Sequence, residues 1–275
     1  MTSRTVKVLV ISGYGINCEE ETAAAWKMAG AEAEIIHVNA LLQGQSTLAP
    51  YDIFTFPGGF SFGDDLGSGK ALAHLFKHRK MKNGKTLLQE TQDFVARGKL
   101  VLGICNGFQV LMQTGLLPGG REGALTFNQS GKFEDRWVRM RVSEKTKTPF
   151  LVGIKTLDLP VRHGEGRIVL ENESHWLEVL ENGQSAIFYT DESYTPTEKY
   201  PQNPNGSPYG CAGMTSPCGR IFGLMPHPEA ALTLWNHPNW STTLQQNPAA
   251  SPHGDGLSIF QNAVSYFQKN TGAQS

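Results

Sequence analysis

Leu100-Val101-Leu102-Gly103-Ile104-Cys105-Asn106-Gly107-Phe108 decides how this chain is read. Residues Leu100–Ile104 form a short, continuously apolar run, the pattern of a strand buried on both faces. The run breaks at Cys105-Asn106-Gly107 and resumes as a short helical segment, Phe108–Thr114. Gly103 and Gly107, two before and two after the cysteine, let the backbone bend sharply. This is a strand–turn–helix elbow with cysteine where α/β hydrolases carry serine. It puts a thiol at the carboxyl edge of a sheet and at a helix N-terminus, where the backbone dipoles favour thiolate. Most unpaired cysteines are inert buried hydrophobes; the strand–turn–helix context marks Cys105 as a candidate nucleophile.

Upstream of the elbow, the sequence alternates strands and helices. Val6–Ile11 reads as a buried strand, followed by a glycine turn at Gly13 and Gly15 and a helix over Glu19–Met28, which Gly30 ends. Glu34–Val38 and Tyr51–Phe56 are further strands, and Pro57-Gly58-Gly59 stops the second. Ser68–Lys77 and Thr86–Ala96 read as helices. The alternation predicts an α/β fold with a mostly parallel, flavodoxin-like sheet covered by helices on both faces. Downstream the pattern is less regular. Residues Arg121–Val142 mix polar and apolar types, and Trp137–Val142 alternates with period two, as a half-exposed strand does. A strand is expected at Leu159–Arg162, interrupted by His163-Gly164-Glu165-Gly166. A helix is expected at Ser174–Leu180, and strands at Ala186–Thr190 and Ile221–Met225. Asp191–Tyr209 is a long polar loop with four prolines, a length uncommon in a loop without a function. Leu257–Phe267 is an amphipathic closing helix. The expected organisation is a single domain over 1–275, with surface insertions near 75–87 and 236–255.

A cysteine nucleophile needs a base. Met225-Pro226-His227-Pro228-Glu229 follows the last apolar strand, so His227 also falls at a strand's carboxyl end, with Glu229 two residues on to orient the imidazole. Pro57–Asp64 follows the third strand, and its adjacent glycines allow backbone N–H groups to converge on an oxyanion. The loop matches neither the dinucleotide nor the P-loop spacing. No recognised zinc spacing is found: Cys211 and Cys218 are six apart, and His227, His237 and His253 are irregular.

Composition narrows the class. The chain has 275 residues, with 24 Lys and Arg against 25 Asp and Glu. It is long enough to bury roughly 75% of its unfolded surface. A net charge of −1 gives no broad cationic field for nucleic acid or membrane surfaces. Four irregularly spaced cysteines are no disulfide framework. No apolar run reaches a membrane span, and Met1–Thr5 leads straight into the first strand without a signal peptide, so a cytoplasmic location is expected.

Taken together, these pieces resemble the class I, triad-type glutamine amidotransferases. Within that class, the chain is most similar to the glutaminase subunits of the purine-pathway synthase that makes formylglycinamidine ribonucleotide. The matching segments are Gly13–Cys18, Pro57–Asp64, Gly103–Gln109, Asn128 with Arg136-Trp137, His163–Arg167, Tyr200–Ser207 and Met225–Glu229. The resemblance implies Cys105 as nucleophile, His227 as base and Glu229 as its orienting carboxylate. It implies an oxyanion hole at the Gly59 and Asn106 amides, and contact between Gln109 and the substrate, glutamine. It also implies a large synthase subunit as partner, bridged by a small third protein in many bacteria. ATP and magnesium are expected on that partner and no cofactor or metal on this chain. His163 and Arg167, beside two glycines, are expected at the partner interface or on the route of ammonia.

The sequence departs from the family at Asp65–Lys70, where many members have an aromatic residue and an arginine, and it is longer than the compact subunits. It starts near the first strand and ends after a helix, so a separate subunit is expected rather than a fused one. Two other readings remain open on the residues alone: a stand-alone cysteine amidase, and a non-catalytic scaffold of the same fold.

Overall fold

The computed structural model describes residues 4–64, 66–120 and 123–270. Asp65, Arg121 and the Met1–Ser3 end, on which parts of the sequence reading fall, lie outside the described residues. Along the chain run β1 (Lys7–Ser12), α1 (Glu19–Met28), β2 (Glu32–His37), α2 (Val38–Leu42), β3 (Ile53–Phe56), α3 (Lys70–His78), α4 (Leu87–Ala96), β4 (Leu100–Ile104) and α5 (Asn106–Gln113). There follow β5 (Gly123–Phe127), β6 (Glu134–Val142), β7 (Thr156–His163), β8 (Glu165–Leu170), α6 (Glu173–Glu181) and β9 (Ser185–Tyr189). The chain closes with β10 (Cys211–Thr215), β11 (Ile221–Leu224), α7 (Trp240–Gln246) and α8 (Asp255–Asn270).

Nine strands form one sheet in the order β2-β1-β3-β4-β11-β10-β9-β6-β7, and β5 pairs with β8 in a separate ribbon. The pairs from β2 to β11 are all parallel, and those from β11 to β7 all antiparallel. Only β10 and β6 therefore run against the common direction. The strands β1, β3, β4 and β11 are buried nearly throughout, as parallel strands covered on both sides must be. Parallel crossovers are right-handed. The β1–α1–β2 unit steps one way along the sheet and β3–α3–α4–β4 the other, so α1 and the α3–α4 pair cover opposite faces. α8 joins α1, with Trp26 and Phe260 edge to face at 4.8 Å, while α5 packs on α3.

The order reverses between β1 and β3, and ligands of open α/β sheets bind outside the carboxyl ends of the strands at such a point. The far half of the sheet supplies the remaining wall. It returns so that edge strand β7 lies against the carboxyl ends of the parallel strands: His227 N–H donates to Pro160 O at 2.8 Å, and the Cys105 thiol lies 3.7 Å from Arg162 O. At the opposite end of the sheet, buried Asp52 binds Arg4 (2.7 Å), Lys99 (2.6 Å) and the Lys7 amide (3.1 Å).

Several elements differ from the sequence reading. The strand expected to break at His163 runs through it, and a second strand starts at Glu165, so Gly164 is the bend at which the chain leaves the main sheet for the β5–β8 ribbon. β5, β8 and β10 were not anticipated; β10 contains Gly213, and β5 starts on Gly123, residues that weaken a strand signature. Of the expected surface insertions, 75–87 is exposed over most of 77–85 but buries Phe76 and Leu87 in the core, and most of 236–255 is exposed and carries α7. Among the described residues, no helix is long and apolar enough to cross a membrane.

Candidate active site

Cys105 stands between β4 and α5 with φ 49° and ψ −105°, a conformation that L residues avoid and that stores local strain. Two glycines make room for it. A Cβ on Gly107 would sit 2.0 Å from Phe56 O, and one on Gly103 would sit 2.5 Å from a Leu111 methyl. The elbow is tied to the neighbouring strand by Cys105 N–H donating to Leu224 O at 2.8 Å. That strand, β11, delivers His227 three residues later.

His227 and Glu229 are both buried, 3% and 5% exposed, and His227 Nδ1 lies 2.6 Å from Glu229 Oε1. A carboxylate only accepts, so Nδ1 carries the proton and Nε2 is left as a base. Nε2 is buried and makes no hydrogen bond among the described residues. Burial opposes protonation of this ring, but the Glu229 carboxylate and then the Cys105 thiol outweigh it, and its pKa is held well above the ordinary imidazole value. A base that is readily charged beside a thiol is the arrangement that stabilises a thiolate–imidazolium pair.

The glycine loop stands opposite. Gly59 has φ +140°, and a Cβ there would meet Asn17 N at 2.6 Å, so backbone conformation and close approach both demand glycine. The Asn17 and Cys18 amides bind Gly58 O and the Phe60 amide binds Gly15 O, while the Gly59 amide takes no part in these bonds. Asn106, the first residue of α5, has an amide of the kind that a helix N-terminus leaves unpaired. Gly59 and Asn106 thus offer two amides on a loop and a helix that the Ser61 amide ties together through Asn106 Oδ1.

A ring of side chains holds these pieces in register. The Ser61 amide donates to Asn106 Oδ1 (3.3 Å), Asn106 Nδ2 to Gln109 Oε1 (2.9 Å), Gln109 Nε2 to Glu165 O (2.6 Å), and the Ser68 amide to the Glu165 carboxylate (3.3 Å). Both ends of the Gln109 amide are engaged, so it braces the elbow against the β7–β8 bend as well as lying where substrate was expected to touch it. The bend is braced from behind by the Asn203–Ser207 loop. Asn205 Nδ2 donates to Gly166 O (2.8 Å), Ser207 Oγ accepts from the Ile168 amide (3.0 Å), and Asn203, Asn205 and Ser207 are fully buried. The long loop is therefore polar because it supplies partners to buried backbone, a use that its composition did not reveal.

His163 corrects one expectation. It is 2% exposed and has no surface with which to dock a partner. Asn128 Nδ2 is committed to the His163 and Lys132 carbonyls, so Asn128 Oδ1 accepts from His163 Nδ1–H at 3.0 Å. His163 Nε2 is thus a lone-pair acceptor, buried and without a partner among the described residues. Burial first, then the nearby His227, pushes its pKa down to about 3, so it stays neutral. Arg167 lies on β8 opposite Thr126, half-exposed, in the β5–β8 ribbon. The structure also brings Cys18 to the His227 ring, a neighbour that the sequence reading did not place there.

Comparison with known proteins bears on what this geometry serves. The model of the CobB/CobQ-like glutamine amidotransferase domain family matches residues 5–267. This chain belongs to that family. The amidotransferase is 44% identical to the phosphoribosylformylglycinamidine synthase subunit PurQ of Methanococcus maripaludis, over 96% of this chain and 98% of that one. It is 41% identical to the PurQ subunit of Dehalococcoides mccartyi, over 95% and 97%. Among solved structures, a chain of PurLQS from Thermotoga maritima matches with a TM-score of 0.70 at 29% identity, covering 96% of the amidotransferase and 99% of that chain.

Proposed function

We propose that this chain is the glutaminase subunit of a phosphoribosylformylglycinamidine synthase. It hydrolyses glutamine to glutamate and ammonia, and the ammonia passes to a large synthase subunit. There, formylglycinamide ribonucleotide becomes formylglycinamidine ribonucleotide at the expense of ATP, with magnesium. The observation that carries this reading is the buried Cys105, His227 and Glu229 set on a strained elbow, in a chain similar end to end to subunits of that name.

The chemistry follows from the residues. The Cys105 thiolate attacks the side-chain amide carbon of glutamine. The oxygen takes negative charge, and the Gly59 and Asn106 amides stabilise it. His227, having taken the thiol proton on Nε2, gives it to the departing nitrogen, and ammonia leaves a γ-glutamyl thioester. Water, deprotonated by His227, then releases glutamate and restores the thiol. Glu229 keeps the ring in the tautomer that both steps need. His163 belongs to the ammonia route and not to the docking surface. Ammonia is a donor of three N–H groups, and a buried acceptor that resists protonation binds it without trapping it as an ion pair. Arg167 serves the rim. A small bridging protein between the two subunits and a cytoplasmic location complete the proposal.

The test is the assembled synthase supplied with glutamine or with ammonium salt. Cys105→Ala abolishes the glutamine-dependent rate and leaves the ammonia-dependent rate unchanged. A Cys105→Ala complex that still uses glutamine overturns the assignment. Full glutamine hydrolysis by the isolated chain, indifferent to the synthase, favours the stand-alone amidase instead.

A further inference from the structure

Neither the fold nor the proposed reaction uses Cys18. It closes the β1–α1 loop just before the first residue of α1, with its amide on Gly58 O at 3.3 Å. Its Sγ, a ring nitrogen of His227 and a carboxylate oxygen of Glu229 all lie within 4.8 Å of one another. Gly58 keeps the space between them open: a Cβ there would sit 2.8 Å from His227 Cε1, 3.4 Å from Nδ1 and 3.3 Å from Cys18 Sγ. The sulfur and the imidazole therefore border the same side of Gly58. Glu229 Oε1 is bound to Nδ1, and among the described residues Oε2 is buried with no hydrogen bond.

We propose that Cys18, His227 and Glu229 form a site for a thiophilic divalent cation, zinc foremost, and that its occupancy switches the glutaminase off. Thiolate, imidazole and carboxylate are zinc's ordinary protein donors, at bond lengths of about 2.0–2.3 Å, and a fourth position is left for water. A tetrahedral set needs these donors about 3.5 Å apart. Cys18 is half-buried at a loop–helix junction, so its side chain can make the adjustment. Binding releases the Cys18 thiol proton to solvent and takes the Nδ1 lone pair. The single proton of the neutral imidazole then resides on Nε2, and Glu229 changes from hydrogen-bond acceptor to ligand. A ring protonated on Nε2 cannot accept the Cys105 proton, so the metal stops the reaction without touching the nucleophile. The three ligands are 209 and 211 residues apart from Cys18 to His227 and Glu229, which is why no sequence spacing announced them.

The inhibition rests on the glutaminase reading; metal binding does not, and two measurements separate them. In the assembled synthase, zinc inhibits glutamate release and a chelator restores it. Cys18→Ser raises the zinc concentration for half-inhibition by roughly tenfold or more, since loss even of an outer-shell partner costs 10–100-fold. Cobalt(II) reports binding directly. Cys105→Ser shows a thiolate-to-cobalt charge-transfer band, and the double variant Cys18→Ser/Cys105→Ser loses it while keeping Cys211 and Cys218. Equal zinc sensitivity of wild type and Cys18→Ser, or a band that survives in the double variant, overturns the site. A wild-type complex that releases no glutamate overturns the function, and the cobalt band still decides the site.

Discussion

At the residue scale, the division of labour between His227 and Glu229 is open to measurement. His227 Nε2 is the only ring nitrogen left to move the proton, because Nδ1 is held by Glu229 at 2.6 Å. His227→Ala removes the acid and the base of both half-reactions, and a general acid–base contribution of about 10²–10⁴-fold sets the loss in kcat. Glu229→Gln keeps a hydrogen-bonding group at the same place but can donate to Nδ1 and invert the tautomer. We expect a partial loss of kcat with KM little changed, measured as steady-state glutamate release in the complex. Equal, near-wild-type rates for both variants would contradict the roles. These three residues were legible in the sequence because each follows a short apolar run at a strand's carboxyl end. Cys18, Asn128 and Glu165 were not legible as neighbours of the site. Asn128 and Glu165 depend on a sheet that brings β7 back over the elbow, and Cys18 on the approach of the β1–α1 loop to Gly58, and no local pattern encodes either contact.

At the element scale, the elbow and the β7–β8 bend that faces it are held by different means, so they should fail differently. Gly107 sits where a Cβ would fall 2.0 Å from a backbone carbonyl, an atom that cannot swing aside. Gly107→Ala should therefore cost about 3 kcal/mol or more, the top of the range for overpacked sites, read from urea unfolding, and should abolish turnover in whatever remains folded. Asn205 contributes side-chain bonds to Gly166 O and Tyr189 Oη. Asn205→Ala takes the acceptor from the buried Ser207 amide and leaves Gly166 O only the longer bond from Ser207 Oγ (3.5 Å), which costs about 1–3 kcal/mol, and it loosens the β7–β8 bend that carries His163 and Glu165. Its signature is a fall in kcat/KM with labelling of Cys105 by a glutamine-like diazo-ketone still possible; a wild-type kcat/KM would remove the loop from the site's support. The same contrast explains which elements the sequence showed. β4 and α1 match their expected bounds, because an apolar run and a glycine-ended amphipathic helix are complete local signals. β5 and β8 were not expected, because their residues became strand only by pairing with each other across some forty residues, and β10 was not, because its small residues carry no strand signature until β11 and β9 pair with it.

At the scale of the whole molecule, two buried histidines give stability opposite dependences on pH. His163 has its pKa lowered from 6.5 to about 3 by burial, so the unfolded chain binds a proton there that the folded chain refuses. Stability from this group is present above 6.5 and is lost as pH falls from that value towards about 3. His227 is shifted the other way. Its contribution is full below the ordinary value of 6.5 and is lost as pH rises through its higher folded value. One group binding one extra proton gives a slope of at most about 1.4 kcal/mol per pH unit. The acid limb should therefore flatten by up to that amount in His163→Gln, which cannot titrate and retains an amide for Asn128 Oδ1. Urea unfolding of the two proteins at a series of pH values between 6.5 and 4 measures the difference directly, and carboxylates common to both cancel in the comparison. His227→Gln should leave the acid limb steep and flatten the alkaline one instead. Parallel acid limbs for wild type and His163→Gln would mean that His163 accepts a proton in the folded state. Its Nε2 would then be a group that ammonia could lose to protonation, and His163 could not serve the ammonia route as a neutral acceptor.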